Sequence, residues 1–317
     1  MYARPIPWPG EGEMLLRVRS FAVSGADLEQ VKGRFVAPRG CTDIIGMEVS
    51  GEIMIVDEET DGMVEGGAVC AMVSGGGYAE FCVCKKQQAL LLPRGFDWNV
   101  AAAMPLGLCV AWSCLFELAE LKEGTSVLIH GGAGGVGHIM IQVARNFGIE
   151  VFTTCRSKQK VEFCLSLGAD YACESNTEDI DKIVRTATCG KGVDAVIDCI
   201  GGDTIDRNIQ LLKPGGKLVF QGCMVEEGKF NIQRLIEKKV EVLGCSIRNS
   251  EEEFKNKMFK AIRTKVWPLV LDGKIRPHLS SVYRMSEVQT AIAKMREETR
   301  VGKLVCSIGG EFLKAAD

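Results

Sequence analysis

The run Gly132-Ala133-Gly134-Gly135-Val136-Gly137 restricts the possible folds of this chain more than any other feature. An apolar segment, Ser126 to His130, precedes it and reads as a buried strand. The segment it opens, Gly135 to Phe147, has the apolar spacing of an amphipathic helix. In that setting G-x-G-x-x-G has a mechanical meaning. Glycine permits the tight turn and lets the backbone approach a pyrophosphate, whose charge then faces the unpaired N–H groups of a helix N-terminus.

The sequence around the motif repeats the same texture. Glu150 to Thr154, Val193 to Cys199 and Lys217 to Gly222 read as strands, and Lys158 to Leu167 and Thr204 to Leu212 as the helices between them. Past Val240 to Ile247 comes a helix-rich stretch and a last strand, Gly302 to Cys306. Apolar runs alternating with helices are what a parallel sheet covered on both faces requires, so this half is expected to be α/β and doubly wound. The N-terminal part differs. Met14 to Arg19, Gly46 to Val56, Ala68 to Val73 and Ala79 to Val83 are short strands bounded by glycines, and Asn99 to Leu121 reads as one long apolar helix leading from one domain to the next. At 317 residues, two domains are expected.

The second strand of the dinucleotide unit ends where an acid would accept the ribose 2′-hydroxyl of NAD, about 20 residues beyond the glycines. Here the sequence is Thr153-Thr154-Cys155-Arg156-Ser157-Lys158-Gln159-Lys160, with no acid. Arg156 and Lys160 supply positive charge and Ser157 a hydroxyl, which suits the 2′-phosphate of NADPH; the plainer reading is a solvated first helical turn. Cys199-Ile200-Gly201-Gly202 and Gln221-Gly222-Cys223 follow later strands and are expected to border the ribose and nicotinamide. Cys199 has no evident partner base and reads as a small packing residue rather than a nucleophile.

Composition narrows the remaining classes. A net charge of −3 argues against a broad nucleic-acid surface. Fourteen cysteines without a C-x-x-C pair point to reduced thiols in an intracellular, cytoplasmic setting rather than a disulfide scaffold. The longest apolar stretch, Val100 to Trp112, falls short of the roughly 18 residues of a membrane span, and no secretory leader is visible, so no membrane association is expected.

From Glu11 to Ile308 the chain resembles the zinc-free quinone oxidoreductases of the medium-chain dehydrogenase/reductase superfamily, and within them the p53-inducible quinone oxidoreductases. The resemblance rests on Ala22-Val23-Ser24-Gly25-Ala26-Asp27-Leu28, Gly46-Met47-Glu48-Val49-Ser50-Gly51, Gly75-Gly76-Gly77-Tyr78-Ala79-Glu80, Ala102-Ala103-Met104-Pro105, the glycine motif, Gly192 to Gly202, Leu212-Lys213-Pro214-Gly215-Gly216 and Gly302-Lys303-Leu304-Val305. It implies a GroES-like β-rich catalytic domain with its N-terminal part in 1–98, a Rossmann domain in 99–246, and a C-terminal segment, 247–317, that completes the catalytic domain, with the reacting groups in the cleft between domains. It also implies a homodimer. Members usually have one more β-hairpin before the counterpart of Met14 to Val18, so an uncovered edge or apolar patch is expected there. Arg248, in Gly244-Cys245-Ser246-Ile247-Arg248, matches a family arginine. It is expected either to touch the cofactor or acceptor, with Ser246 beside it, or to form an interdomain ion pair.

Zinc-dependent members place a cysteine near Ser24 and a histidine where this chain has Met47; a hydroxyl and a thioether are poor zinc ligands, so no metal is expected. His130, His138 and His278 share no ligand spacing and read as structural or exposed. Without a Lewis acid, an acceptor that disperses negative charge by itself, a quinone or electron-poor enone, is favoured. The family often has asparagine at Ser24 and tyrosine at Phe35; Phe35 can still stack on a planar acceptor. One rival is an enal or enone double-bond reductase with Ser24 or Tyr78 as proton donor. Another is a catalytically weak NADPH-binding sensor.

Overall fold

The computed structural model describes residues 2–57, 62–222, 224–295 and 297–309. In chain order its elements begin with β1 (Glu13–Val23), α1 (Gly25–Val31), β2 (Glu48–Val56), β3 (Ala68–Met72), β4 (Phe81–Lys85) and β5 (Ala89–Leu91). Next come α2 (Trp98–Ala102), α3 (Pro105–Trp112), β6 (Ser126–His130), α4 (Gly137–Asn146), β7 (Glu150–Cys155), α5 (Lys158–Ser166), β8 (Tyr171–Glu174), α6 (Ile180–Ala187) and β9 (Val193–Asp198). The rest are α7 (Thr204–Leu211), β10 (Leu212–Phe220), α8 (Ile232–Lys238), β11 (Glu241–Gly244), α9 (Glu252–Ala261), α10 (Trp267–Leu271), β12 (Leu279–Arg284), α11 (Val288–Lys294) and β13 (Lys303–Ser307).

The chain divides into two compact units, residues 1–106 with 277–317, and residues 107–276. These divisions differ from those expected at 98/99 and 246/247. Residues 247–276 lie in the second unit, where they are held by the Lys257–Glu117 ion pair and by Gln142 of α4, which donates to the Arg276 carbonyl and accepts from the Arg276 amide.

The first unit is a β-rich domain. Its strands run in the order β12-β13-β1-β2-β3-β5, with β4 also paired to β1. Most pairings are antiparallel, whereas β12 and β13 are parallel. The long β1 pairs with β2, β4 and β13, so Met14, Leu16, Val18 and Phe21 lie in the core against Val49, Ile53, Val69 and Leu304. β12 lies within the segment read from sequence as helix-rich; its residues are only partly buried and lack a clear alternation.

The second unit carries a six-stranded parallel sheet, β11-β10-β9-β6-β7-β8. The chain begins at the centre with β6 and crosses to either side, and this order reversal creates the crevice at the strand ends where such sheets bind ligands. Leu128, Phe152, Val196, Ile209 and Leu218 form its core. β8 and α6 have no counterpart among the expected elements, because four strand residues are too few to display a period.

The apolar segment after Pro93 is not one continuous helix. α2 ends before Met104, α3 restarts at Pro105, and the chain widens into π-type turns over Ser113–Leu118. Proline lacks an N–H and disfavours helical geometry in the preceding residue. The first-turn amide of Leu106 is satisfied by the Glu48 carboxylate at 3.1 Å. By length and composition Trp98–Leu118 could cross a bilayer, which corrects the expectation that no stretch reaches that length; 78% of its most apolar window is buried within the protein, as in the core helix of a soluble domain.

Candidate functional site

The glycine motif forms the turn between β6 and α4, with α4 beginning at the motif's last glycine, Gly137, rather than at Gly135. The amides of Gly131 and Gly132 donate to the Thr154 carbonyl, folding the loop over the end of β7. Three of its glycines have no room for a side chain. A Cβ on Gly132 would lie 2.1 Å from Thr153 Oγ1, one on Gly137 2.4 Å from the Gly131 carbonyl oxygen, and one on Gly134 3.1 Å from that same oxygen. The glycines therefore make a bare backbone cradle at the start of α4, as pyrophosphate binding requires. Val136 is the N-cap of α4 and makes no side-chain cap; the His138 and Ile139 amides are taken by the Gly134 and Val136 carbonyls, so an anion here is met by the loop backbone ahead of them.

At the end of β7 the sequence-predicted cations come together. Ser157 is the N-cap of α5 but makes no capping bond with its side chain. Arg156 is exposed and donates to Met224 Sδ at 3.1 Å, a weak acceptor that a phosphate could replace. The first turn of α5 contains no acid but has Lys158 and Lys160. Cations at the positive end of a helix dipole are unfavourable, and an anion at that point offsets both.

The turn after β9 is fixed by a network that the sequence reading did not find. The Asp198 carboxylate accepts from the amides of Ile200 and Gly201, from Thr204 Oγ1 and from Asn208 Nδ2. Asn208 Oδ1 in turn meets His130 Nε2 at 2.8 Å, and His130 Nδ1 meets Thr154 Oγ1 at 2.8 Å. Burial holds the His130 imidazole below its ordinary pKa, so it is a neutral bridge joining β6, β7 and α7. The composition signal was a lone histidine ending a strand, and only the fold reveals its partners. Cys199 donates to the His130 carbonyl, and burial raises its thiol to about 12, which leaves it without nucleophilic character at neutral pH.

Gly201 takes a positive φ of 74° and bridges to Val225. The Gln221 amide donates to the Asp198 carbonyl, so the turns after β9 and β10 lie side by side at one end of the sheet, with Gly222 exposed. Cys223 lies outside the described residues. Ser246 is exposed and Arg248 is buried, both beyond β11 in the same unit. The remaining histidine of the motif region, His138, has its Nδ1 2.8 Å from the Gly134 carbonyl.

In the β-rich unit, Ser24 and Tyr78 meet on a residue whose role the sequence reading did not assign. Ser24 caps α1 through a reciprocal arrangement with Asp27: the Ser24 amide and hydroxyl both donate to Asp27 Oδ2, at 2.8 and 2.9 Å. The Tyr78 hydroxyl donates to that same oxygen at 3.1 Å, and its ring stacks on Phe21 with centroids 4.4 Å apart. Asp27 is 1% exposed, and its Oδ1 has no hydrogen-bond partner among the described residues. Burial pushes the Asp27 carboxyl above its ordinary pKa, against the Ser24 and Tyr78 hydrogen bonds, which favour the charge. Burial and the neighbouring Asp27 charge push the Tyr78 phenol up. Phe35 follows α1 in a half-buried turn whose amide donates to the Glu29 carbonyl.

Met47 is buried beside Glu48, which is fully buried and paired with Lys303 of β13. Among the described residues no three His, Cys, Asp or Glu side chains group as metal ligands.

Two family models match: the alcohol dehydrogenase GroES-like domain over residues 10–94, and the zinc-binding dehydrogenase over residues 135–264. The chain is 29% identical over 312 residues to the synaptic vesicle membrane protein VAT-1 homolog of Danio rerio, covering 93% of this chain and 64% of that protein. It is also 29% identical to part of the phthioceranic/hydroxyphthioceranic acid synthase of Mycobacterium tuberculosis, covering 95% of this chain and 14% of the synthase. It thus spans under two thirds of both relatives. Among solved structures, a mycobacterial protein in complex with NADPH superposes with a TM-score of 0.85 at 27% identity, covering 96% of this chain and 94% of that one. The quinone oxidoreductase of Thermus thermophilus, also solved with NADPH, gives 0.81 at 27% identity, covering 96% and 95%. The CurK enoyl reductase gives 0.82 at 25% identity, covering 97% and 94%.

Proposed function

Because the chain belongs to the medium-chain dehydrogenase/reductase superfamily, we propose that it is a zinc-independent oxidoreductase of the quinone oxidoreductase type, using NADPH to reduce quinones or related electron-poor enones. The observation that carries the cofactor assignment is the side-chain-free cradle of Gly132, Gly134 and Gly137 beside an acid-free, basic start of α5. Gly132, Gly134, Gly135, Val136 and Gly137 would hold the pyrophosphate, and Arg156, Ser157 and Lys160 the 2′-phosphate. Cys199, Gly201, Gln221 and Gly222 border the ribose and nicotinamide, while Ser246 and Arg248 belong to the same ligand's surroundings. When bound, NADPH supplies a hydride.

The choice of acceptor rests on what the β-rich unit can and cannot supply. Ser24 and Met47 are poor zinc ligands, Ser24 is held by Asp27, and Glu48 is held by Lys303, so these residues do not fit a zinc ion. With no Lewis acid to carry a developing alkoxide, an acceptor that becomes aromatic on reduction is favoured. Phe35 offers a face for stacking it, and Ser24 and Tyr78 can donate to its oxygen only by releasing their hydrogen bonds to Asp27.

One observation favours the double-bond reductase as a second reading. Adding hydride to an enone leaves an enolate that needs a proton, and buried Asp27, with its raised pKa, can hold one next to both hydroxyls. The proposal extends to a cytoplasmic homodimer. β11 is the outer strand of its sheet and exposes Val242, and a second copy would cover that edge; light scattering on the eluting protein reads the mass directly.

Titration with NADPH and NADH, read by nucleotide fluorescence and followed by an ortho-quinone or an enone, tests the reading. Tight NADPH binding, weak NADH binding and consumption on adding quinone support it. Consumption only with the enone moves the assignment to the second reading. Binding without turnover on any acceptor overturns the catalytic part.

A further inference from the structure

Two thiols lie in contact under the nucleotide loop. Cys155, the last residue of β7, and Cys164, on α5, have their sulfurs 3.4 Å apart and hydrogen-bonded, and both are buried. The pair touches the cradle at two points. A Cβ on Gly132 would lie 3.1 Å from Cys164 Sγ, and the Ala133 amide donates to Cys155 Sγ. Cys155 also directly precedes Arg156 and Ser157, the start of the basic turn.

We propose that Cys155 and Cys164 form a redox modification site, in which peroxide converts the thiol pair to a disulfide that weakens nucleotide binding by the loop above it. The coupling to nucleotide rests on the cofactor assignment above, whereas disulfide formation does not. The Cys164 hydrogen bond, the Ala133 amide and the Lys160 charge together hold the Cys155 thiol below its usual value despite burial, and Cys164 is raised. The Ala133 amide donating to its sulfur and its place nearer the surface, 4% exposed against 0% for Cys164, make Cys155 the sulfur that reacts first.

The chemistry balances with a peroxide as the oxidant. The Cys155 thiolate attacks one peroxide oxygen, the O–O bond breaks, and the departing hydroxide takes up a proton to leave as water, giving a sulfenic acid. The Cys164 sulfur, losing its proton, then attacks Cys155 Sγ; the S–O bond breaks and a second water leaves. Two thiols lose two electrons in total, and one hydrogen peroxide becomes two waters.

Geometry supplies the consequence for the loop. An S–S bond is about 2.05 Å long, so the sulfurs must close by more than about 1 Å from their contact. Rotation of the two side chains or a shift of their backbones has to close that gap, beside β7's end, which leads into Arg156 and Ser157, and beside α5, which carries Lys160. The Ala133 amide also loses a thiolate acceptor, which is stronger than a disulfide sulfur.

The test oxidises the full chain with graded hydrogen peroxide, blocks remaining thiols by alkylation, and maps disulfides in a non-reducing digest. The expected result is a Cys155–Cys164 crosslink at the lowest effective dose, reversed by dithiothreitol, with NADPH affinity lowered at least tenfold in the crosslinked protein and saturating NADPH slowing the reaction. In Cys164→Ala, a sulfenic-acid trap is expected to label Cys155. Oxidation that joins other cysteines while both of these stay alkylatable overturns the site. A crosslink that leaves NADPH affinity unchanged overturns the coupling alone. Reduced protein that binds no NADPH counts against the cofactor assignment, while the digest still decides the disulfide.

Discussion

The Tyr78 hydroxyl donates to Asp27 Oδ2 at 3.1 Å across 51 positions of chain, and it shares that oxygen with Ser24. Two hydroxyls read from sequence as acceptor-binding groups are therefore oriented by one buried carboxyl. Their protons point inward, and their lone pairs face away from it.

Asp27 has a folded-state pKa above its ordinary value of 3.8, with burial the main cause. Below 3.8 both states are protonated and nothing is lost. As pH rises from there to the folded value, the unfolded chain releases its proton first, and stability falls; above the folded value the loss is complete and constant. The melting temperature of Asp27→Asn relative to wild type is expected to climb over that window and then level off. A difference that does not vary with pH would show that Asp27 titrates alike in both states.

Lys303 and Glu48 form a buried ion pair whose side chains are 3% and 0% exposed, and Glu48 also accepts the Leu106 amide. Removing the cation strands a buried charge, at a cost of about 3–5 kcal/mol. Denaturant unfolding of Lys303→Met should show a loss of that order, with Glu48→Gln in the Lys303→Met background recovering part of it.

Arg156 is exposed, so Arg156→Ala is expected to fold normally. A charge-assisted hydrogen bond to phosphate contributes about 1.5–3 kcal/mol, or roughly a tenfold or greater rise in Kd when it is removed. NADPH should weaken by that factor in a fluorescence titration while NADH is unaffected; equal weakening of both would place Arg156 away from the 2′-phosphate.

Gly137→Ala puts a methyl 2.4 Å from the Gly131 carbonyl oxygen, backbone that cannot swing aside. Overpacking of this kind costs about 1–3 kcal/mol. Urea unfolding should register it, and NADPH affinity should fall with it because the loop and the first turn of α4 are pushed apart.

What the amino-acid sequence determined by itself is local. The glycine motif, the strand before it, the basic turn at Arg156 to Lys160 and the alternation of apolar runs with helices are properties of short segments, governed by backbone sterics and periodicity. They were legible for that reason, and they led to a doubly wound sheet beside a β-rich unit. The tertiary structure decided the partners: Asp27 between Ser24 and Tyr78, His130 between Thr154 and Asn208, Glu48 against Lys303 from 255 positions away, and Cys164 against Cys155. It also broke the apolar segment at Pro105, where a carboxylate from β2 receives the Leu106 amide. Such pairings depend on which strands become neighbours and in what register, and burial then sets their charge states; neither is written in the residues of any one segment.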